Sequence, residues 1–118
     1  MPSLAGAGAL RSTVADLLRF LEAQLGGAPE PLAEAIRTTH EPRARFGAFE
    51  VGLGWLMLPV RGQPYKVLWH DGGTGGFRSV AGFVAEVGTA VVVLANSSRA
   101  VDNLGLKLLE AVSEPVVD

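Results

Sequence analysis

The chain of 118 residues has no cysteine, one tyrosine, two histidines and no long apolar run. Without cysteine there are no disulfides, no thiolate metal sites and no thiol nucleophile. The longest wholly apolar stretch, Ala90 to Ala95, is far too short to cross a bilayer, so no membrane span is expected. Met1-Pro2-Ser3-Leu4 shows no basic segment followed by an apolar one, so no signal peptide is expected and the compartment is left open. A basic excess is also missing. Ten Lys and Arg against twelve Asp and Glu give a net charge of −2, which argues against a nucleic-acid partner. Two histidines with no cysteine are too few for a metal centre, and none is expected.

What the chain has in quantity is apolar residues, 48%, and glycine, fifteen residues. The first is a globular composition, and the length fits a single domain over residues 1–118. It is short for a catalytic fold with two lobes. The glycines are about twice the usual share of about 7% and cluster where the backbone has work to do.

Hydrophobic spacing predicts a helix over residues 13–25. Val14, Leu17, Leu18, Leu21 and Leu25 make one stripe, Ser12 or Thr13 caps the start, and Gly26-Gly27 ends it. A shorter helix is predicted from Pro31 to Thr39, where His40 suits a helix end as a cation. Residues 41–50 have no period and read as a loop. From Val51 the period becomes two. Strands are predicted over Val51–Leu58, Tyr65–His70, Phe77–Ala85 and Ala90–Ala95, with Val101, Leu104, Leu108 and Val112 marking a C-terminal helix. Ala90–Ala95 has no polar residue. Such a strand is expected at the middle of the sheet with helices on both faces. The fold class is therefore α+β: an antiparallel meander of about four strands, two N-terminal helices and one C-terminal helix.

The chemistry-bearing segment is Trp69-His70-Asp71-Gly72-Gly73-Thr74-Gly75-Gly76-Phe77-Arg78-Ser79. A glycine turn between strands lets a ligand approach the backbone and can offer N–H groups to an oxyanion. The same composition also suits a plain bulged turn, with His70 merely packed or solvated. No Lys-Ser/Thr and no helix follow the glycines, so this is neither a Walker loop nor a dinucleotide fingerprint. No cofactor is expected. Trp55 and Trp69 read as core, Arg78 as a solvated strand residue, and Asn96 as a strand-end cap.

These residues resemble the serine β-lactamase and penicillin-binding protein family. The likeness is nearest to class C β-lactamases, D-aminopeptidases, DD-carboxypeptidases and related esterases. His70-Asp71-Gly72-Gly73-Thr74-Gly75-Gly76-Phe77 resembles the family's third box, Lys-Thr-Gly or His-x-Gly, on a strand lining the active site. The run Ala7 to Leu17 resembles the segment leading into a helix, Val51-Gly52-Leu53-Gly54-Trp55 the strand before the box, and Val91 to Asn96 the apolar strand ending in Asn. The likeness covers roughly residues 4 to 113 and implies a partial β-lactamase/transpeptidase-like fold. It implies that the Gly73 N–H completes an oxyanion hole, and that His70 contacts substrate or the proton network. It implies that Gly72 keeps the strand edge open and that Thr74 and Asn96 lie on the substrate side. Histidine in place of the box lysine favours the esterase and aminopeptidase-like branches. The implied substrate is a small-molecule ester, amide or peptide.

Two family boxes are absent. No serine is followed three places on by lysine, and Tyr65, the single tyrosine, is followed by Lys66 and Val67 rather than by x-Asn or x-Ser. The resemblance thus implies the C-terminal segment of a catalytic domain, inactive alone. The alternative is a stand-alone, non-catalytic binding or assembly module of the same fold. The segment reading leaves a sheet edge exposed, through which a homodimer can form, whereas the stand-alone module is expected to be a monomer or a defined oligomer with no exposed apolar edge.

Overall fold

The computed structural model describes residues 8, 10–60 and 62–113. In chain order the elements are α1 (Val14–Glu22), a π-helical turn (Ala23–Gly27), α2 (Leu32–Thr39), β1 (Ala44–Phe46), β2 (Phe49–Val51), β3 (Leu56–Pro59), β4 (Lys66–Thr74), β5 (Phe77–Val84), β6 (Thr89–Ala95) and α3 (Asp102–Ser113). The six strands form one antiparallel meander in the order β1-β2-β3-β4-β5-β6. The α+β class and the helix–sheet–helix order agree with the sequence.

Local chemistry explains the helix limits. Thr13 Oγ1 accepts from the Asp16 N–H at 3.2 Å, the N-cap bond expected of threonine. The chain leaves its first helix at Gly26, whose φ of 103° is a conformation that side chains disfavour.

The helices cover both faces of the sheet. On one face α1 sets Leu21 among Trp55, Met57, Leu68 and Phe83. On the other, Leu109 of α3 packs with Tyr65 and Val84. Leu21, Phe83, Val84 and Leu109 are completely buried. Each such side chain contributes about 1.5–3 kcal/mol relative to exposure. Trp55 and Trp69 are core residues as expected, 7% exposed each.

Four local expectations are corrected. The stretch read as a loop over 41–50 contains the β1–β2 hairpin, with Phe46 opposite Phe49. Two three-residue strands are too short to show a period. The strand expected over Val51–Leu58 is split, because Gly52 to Trp55 turn the chain between β2 and β3. Among the described residues the apolar strand β6 is the last strand of the sheet and is not at its middle. Helices on both of its faces account for its apolarity without a second neighbouring strand. Lastly, His40 is no exposed cation at a helix end. It is the C-cap of α2, but its ring packs 5.0 Å from Phe83 and bonds Gln24 Oε1 at 2.7 Å. Burial pushes its pKa down, which favours the neutral ring.

Candidate functional site

The β4–β5 hairpin builds the site. The glycine cluster is less of a turn than its composition suggests. Gly72, Gly73 and Thr74 continue β4, opposite Ser79, Arg78 and Phe77. Only Gly75 and Gly76 form the connection, with φ of 43° and 86°. Two positive φ values in a two-residue loop match the twist of antiparallel strands.

That tight turn fixes the direction of every backbone group along β4. Thr74 and Phe77 flank the loop and bond each other across it. Alternation then points the N–H and C=O of His70 and Gly72 at β5, and those of Asp71 and Gly73 away from it. The same phase holds further down, where the Tyr65 carbonyl accepts from Val60 on the opposite side. β3 pairs with β4 only as far as Trp69. The Gly73 N–H therefore faces an edge that no strand among the described residues pairs.

His70 is exposed and its Nδ1 lies 2.7 Å from the Asp71 carbonyl oxygen. A carbonyl only accepts, so Nδ1 carries a proton, and in the neutral ring Nε2 is the free acceptor. His70 lines a cleft of about 630 Å³ between α1, α2 and the sheet. Its walls are mainly apolar, with Phe20, Ile36 and Trp55 among them, and Ser79 and Gln24 add polar groups. Ser79 lies opposite Gly72, two positions along from the Ala81–His70 pair and so on the His70 face. A Cβ on Gly72 would stand 2.9 Å from Ser79 Oγ. The glycine keeps that face clear.

The opposite face of the hairpin is charged. Arg78 lies against Gly73 and its Nε donates to the Ser98 carbonyl at 3.1 Å. The Asp71 carboxyl hydrogen-bonds that of Asp102, at the start of α3. This contact, with burial and the Asp71 charge, holds the Asp102 pKa above its ordinary value, and the charge of Arg78 opposes the rise.

His70, Gly72, Gly73 and Thr74 are consecutive along β4, but of these only His70 lines the cleft. Thr74 is exposed at the hairpin tip. Asn96 is exposed one residue past Ala95, which pairs with Arg78, and is at the same end of the sheet. Sequence reasoning missed Ser79 as a cleft residue, the Asp71–Asp102 pair and the seat of Arg78. Alternation along a hairpin closed at Gly75-Gly76 would have placed Ser79 beside His70. No local signal links Asp71 to Asp102. Among the described residues no three or more His, Asp or Glu side chains are grouped to hold a metal ion.

A family model described as Beta-lactamase matches residues 1–112. Over 99% of its length the chain is 28% identical to Unguisins hydrolase ungD' of Aspergillus campestris (strain IBT 28561), and it spans 23% of that protein. A class C beta-lactamase superposes with a TM-score of 0.78 at 21% identity, over 91% of this chain and 36% of that one. A mutant of a class C beta-lactamase, with one tyrosine changed to phenylalanine, superposes with a TM-score of 0.76 at 22% identity, over 85% of this chain and 36% of that one. The chain thus corresponds to roughly a quarter to a third of these longer proteins.

Proposed function

The chain belongs to the beta-lactamase family, and from this we propose that it forms the C-terminal part of a serine hydrolase performing acyl transfer on a small ester, amide or peptide. In that role it supplies one wall of the active site and another part of the polypeptide supplies the nucleophile.

The observation that carries this reading is the edge of β4 beyond Trp69, which no strand among the described residues pairs and where the Gly73 N–H points outward beside a cleft lined by His70. Attack on a carbonyl turns its oxygen into an oxyanion. A fixed backbone N–H aimed at that oxygen stabilises the transition state more than the ground state. Gly73 is that donor. Because its N–H is held by the sheet, little reorganisation is needed during reaction. The His70 ring, oriented by its bond to the Asp71 carbonyl, presents Nε2 to substrate or to the proton network of the nucleophile. Gly72 leaves the cleft face of the strand clear. Thr74 and Asn96, at the hairpin end of the sheet, bind the substrate flank.

An activated serine nucleophile in this family requires a lysine three residues on, and no serine of the chain has one. By itself the chain is therefore inactive. The test is intact-mass analysis after incubation with a penicillin and with a fluorophosphonate. No stoichiometric adduct is expected. An adduct, on Ser79 of the cleft wall above all, would overturn the proposal.

A further inference from the structure

Gly72 and Gly73 each make room for the residue opposite on β5, and they do so on opposite faces of the sheet. Gly72 clears the cleft face for Ser79. Gly73 clears the other face for Arg78. The three atoms nearest to a Cβ on Gly73 would all belong to Arg78, with Nη1 at 2.5 Å, Cζ at 2.8 Å and Cδ at 3.0 Å. The guanidinium therefore lies over the Gly73 backbone.

The side chain is held there from two sides. Arg78 is paired with Gly73 on β4 and with Ala95 on β6. Its Nε donates to the Ser98 carbonyl at 3.1 Å. Ser98 belongs to the connection between β6 and α3, which is shaped by a bond from the Arg99 N–H to Ser97 Oγ at 3.2 Å. All these contacts are internal to residues 73–99, so no other part of a longer polypeptide is needed to form them.

A guanidinium stays charged at any working pH. This one stands above the Gly73 peptide, whose N–H points along the outer edge of β4. A positive charge beside an N–H strengthens its attraction for an anion, most of all where water is excluded. Asp71 and Asp102 lie on the same face, and the Arg78 charge acts on Asp102. The group nearest to Gly73 is nonetheless the guanidinium. We propose that Arg78 is a positioning residue for the oxyanion donor: it holds positive charge behind the Gly73 N–H and strengthens that donor. The role rests on the hydrolase reading above. A neutral carbonyl gains little from this charge and an oxyanion gains more, so Arg78 acts in the transition state rather than in substrate binding.

One arm of the test needs no catalysis. Base-catalysed exchange of an amide passes through the deprotonated nitrogen, a negative charge at the same atom, and a nearby cation speeds it. Water-exchange NMR over a pH series should show Gly73 exchanging severalfold more slowly in Arg78→Met than in the unaltered chain, with the rate restored in Arg78→Lys. Loosening of the strand would speed exchange instead. Salt gives the same reading without a variant. Screening the guanidinium should slow Gly73 in the unaltered chain, the reverse of its effect on amides beside carboxylates. Gly73 exchange that is unchanged or faster in folded Arg78→Met, or that salt speeds, would overturn the proposal.

The other arm uses the polypeptide expressed from its native locus with its upstream sequence, and p-nitrophenyl acetate as substrate. Arg78→Met should lower kcat about tenfold with KM unchanged, short of the roughly hundredfold or more that loss of a donor itself costs. Arg78→Lys should restore most of it. An unchanged kcat, or a loss confined to KM, in a polypeptide whose parent hydrolyses the ester and takes a fluorophosphonate label would overturn this inference alone. A parent that does neither would overturn the proposed function and the role of Arg78 with it.

Discussion

Arg78 lies across the face of Gly73. A Cβ on Gly73 would stand 2.5 Å from Arg78 Nη1, while Arg78 Nε is tied to the Ser98 carbonyl at 3.1 Å. The guanidinium covers that face of the strand, so Gly73 is open along its edge. Gly73→Ala pushes against the far end of a flexible side chain, which can move aside. The expected loss of stability is below about 1 kcal/mol in urea unfolding, and a loss of several would show that Arg78 is rigidly held.

Gly105 makes the opposite case. It seats α3 against Val80, and a Cβ there would overlap the Val80 Cγ1 methyl. Overpacking costs about 1–3 kcal/mol and alanine returns about 1 in helix propensity. Gly105→Ala should therefore lower the urea midpoint by about 1 kcal/mol of stability. A raised midpoint would mean that α3 is not pressed onto β5.

Asp71 opposes the ionisation of Asp102. The folded-state pKa of Asp102 is raised, chiefly by its hydrogen bond to Asp71 and then by burial. For a raised carboxyl, stability is fully present below the unfolded value of 3.8 and is lost as pH rises through the folded one. Asp71→Asn removes the opposing charge. The variant should be the more stable at neutral pH, with the difference closing as the carboxylates protonate. Equal urea midpoints at neutral pH would show that the pair does not interact.

His40 gives a second pH dependence, of opposite sign. Burial lowers its folded pKa below 6.5. Above 6.5 the ring is neutral in both states and the full stability is present. As pH falls below 6.5 the unfolded chain takes up the proton first, and stability declines toward the folded pKa. His40→Gln should flatten urea midpoints between about pH 8 and about pH 5. An unchanged slope would assign the dependence to another group.

The sequence reported what each residue's faces touch, but not what its edges pair with. Leu21 and Trp55 were legible as core, and so was the helix–sheet–helix order. The α3 stripe of Val101, Leu104, Leu108 and Val112 pointed to the wrong face: Leu104, Leu108 and Val112 are exposed and Leu109 is buried. The apolar run Val91–Val92–Val93 announced burial on both faces correctly, yet α1 and α3 supply that burial at the last strand of the sheet among the described residues. Position within a sheet depends on distant pairing partners and leaves no local trace. The same limit hid the β1–β2 hairpin. At the candidate site, the glycine cluster marked the right hairpin but not its phase. That Gly72 and Gly73 belong to β4 follows from the two-residue turn at Gly75-Gly76.

The most direct measurement is fluorophosphonate labelling of the polypeptide expressed from its native locus with all upstream in-frame sequence, followed by identification of the labelled residue. The predicted result is one label, on a serine upstream of Met1 that stands three residues before a lysine. A label on a serine within residues 1–118, or a polypeptide that begins at Met1 and takes no label, would contradict the assignment of His70 and Gly73 to the wall of a hydrolase site.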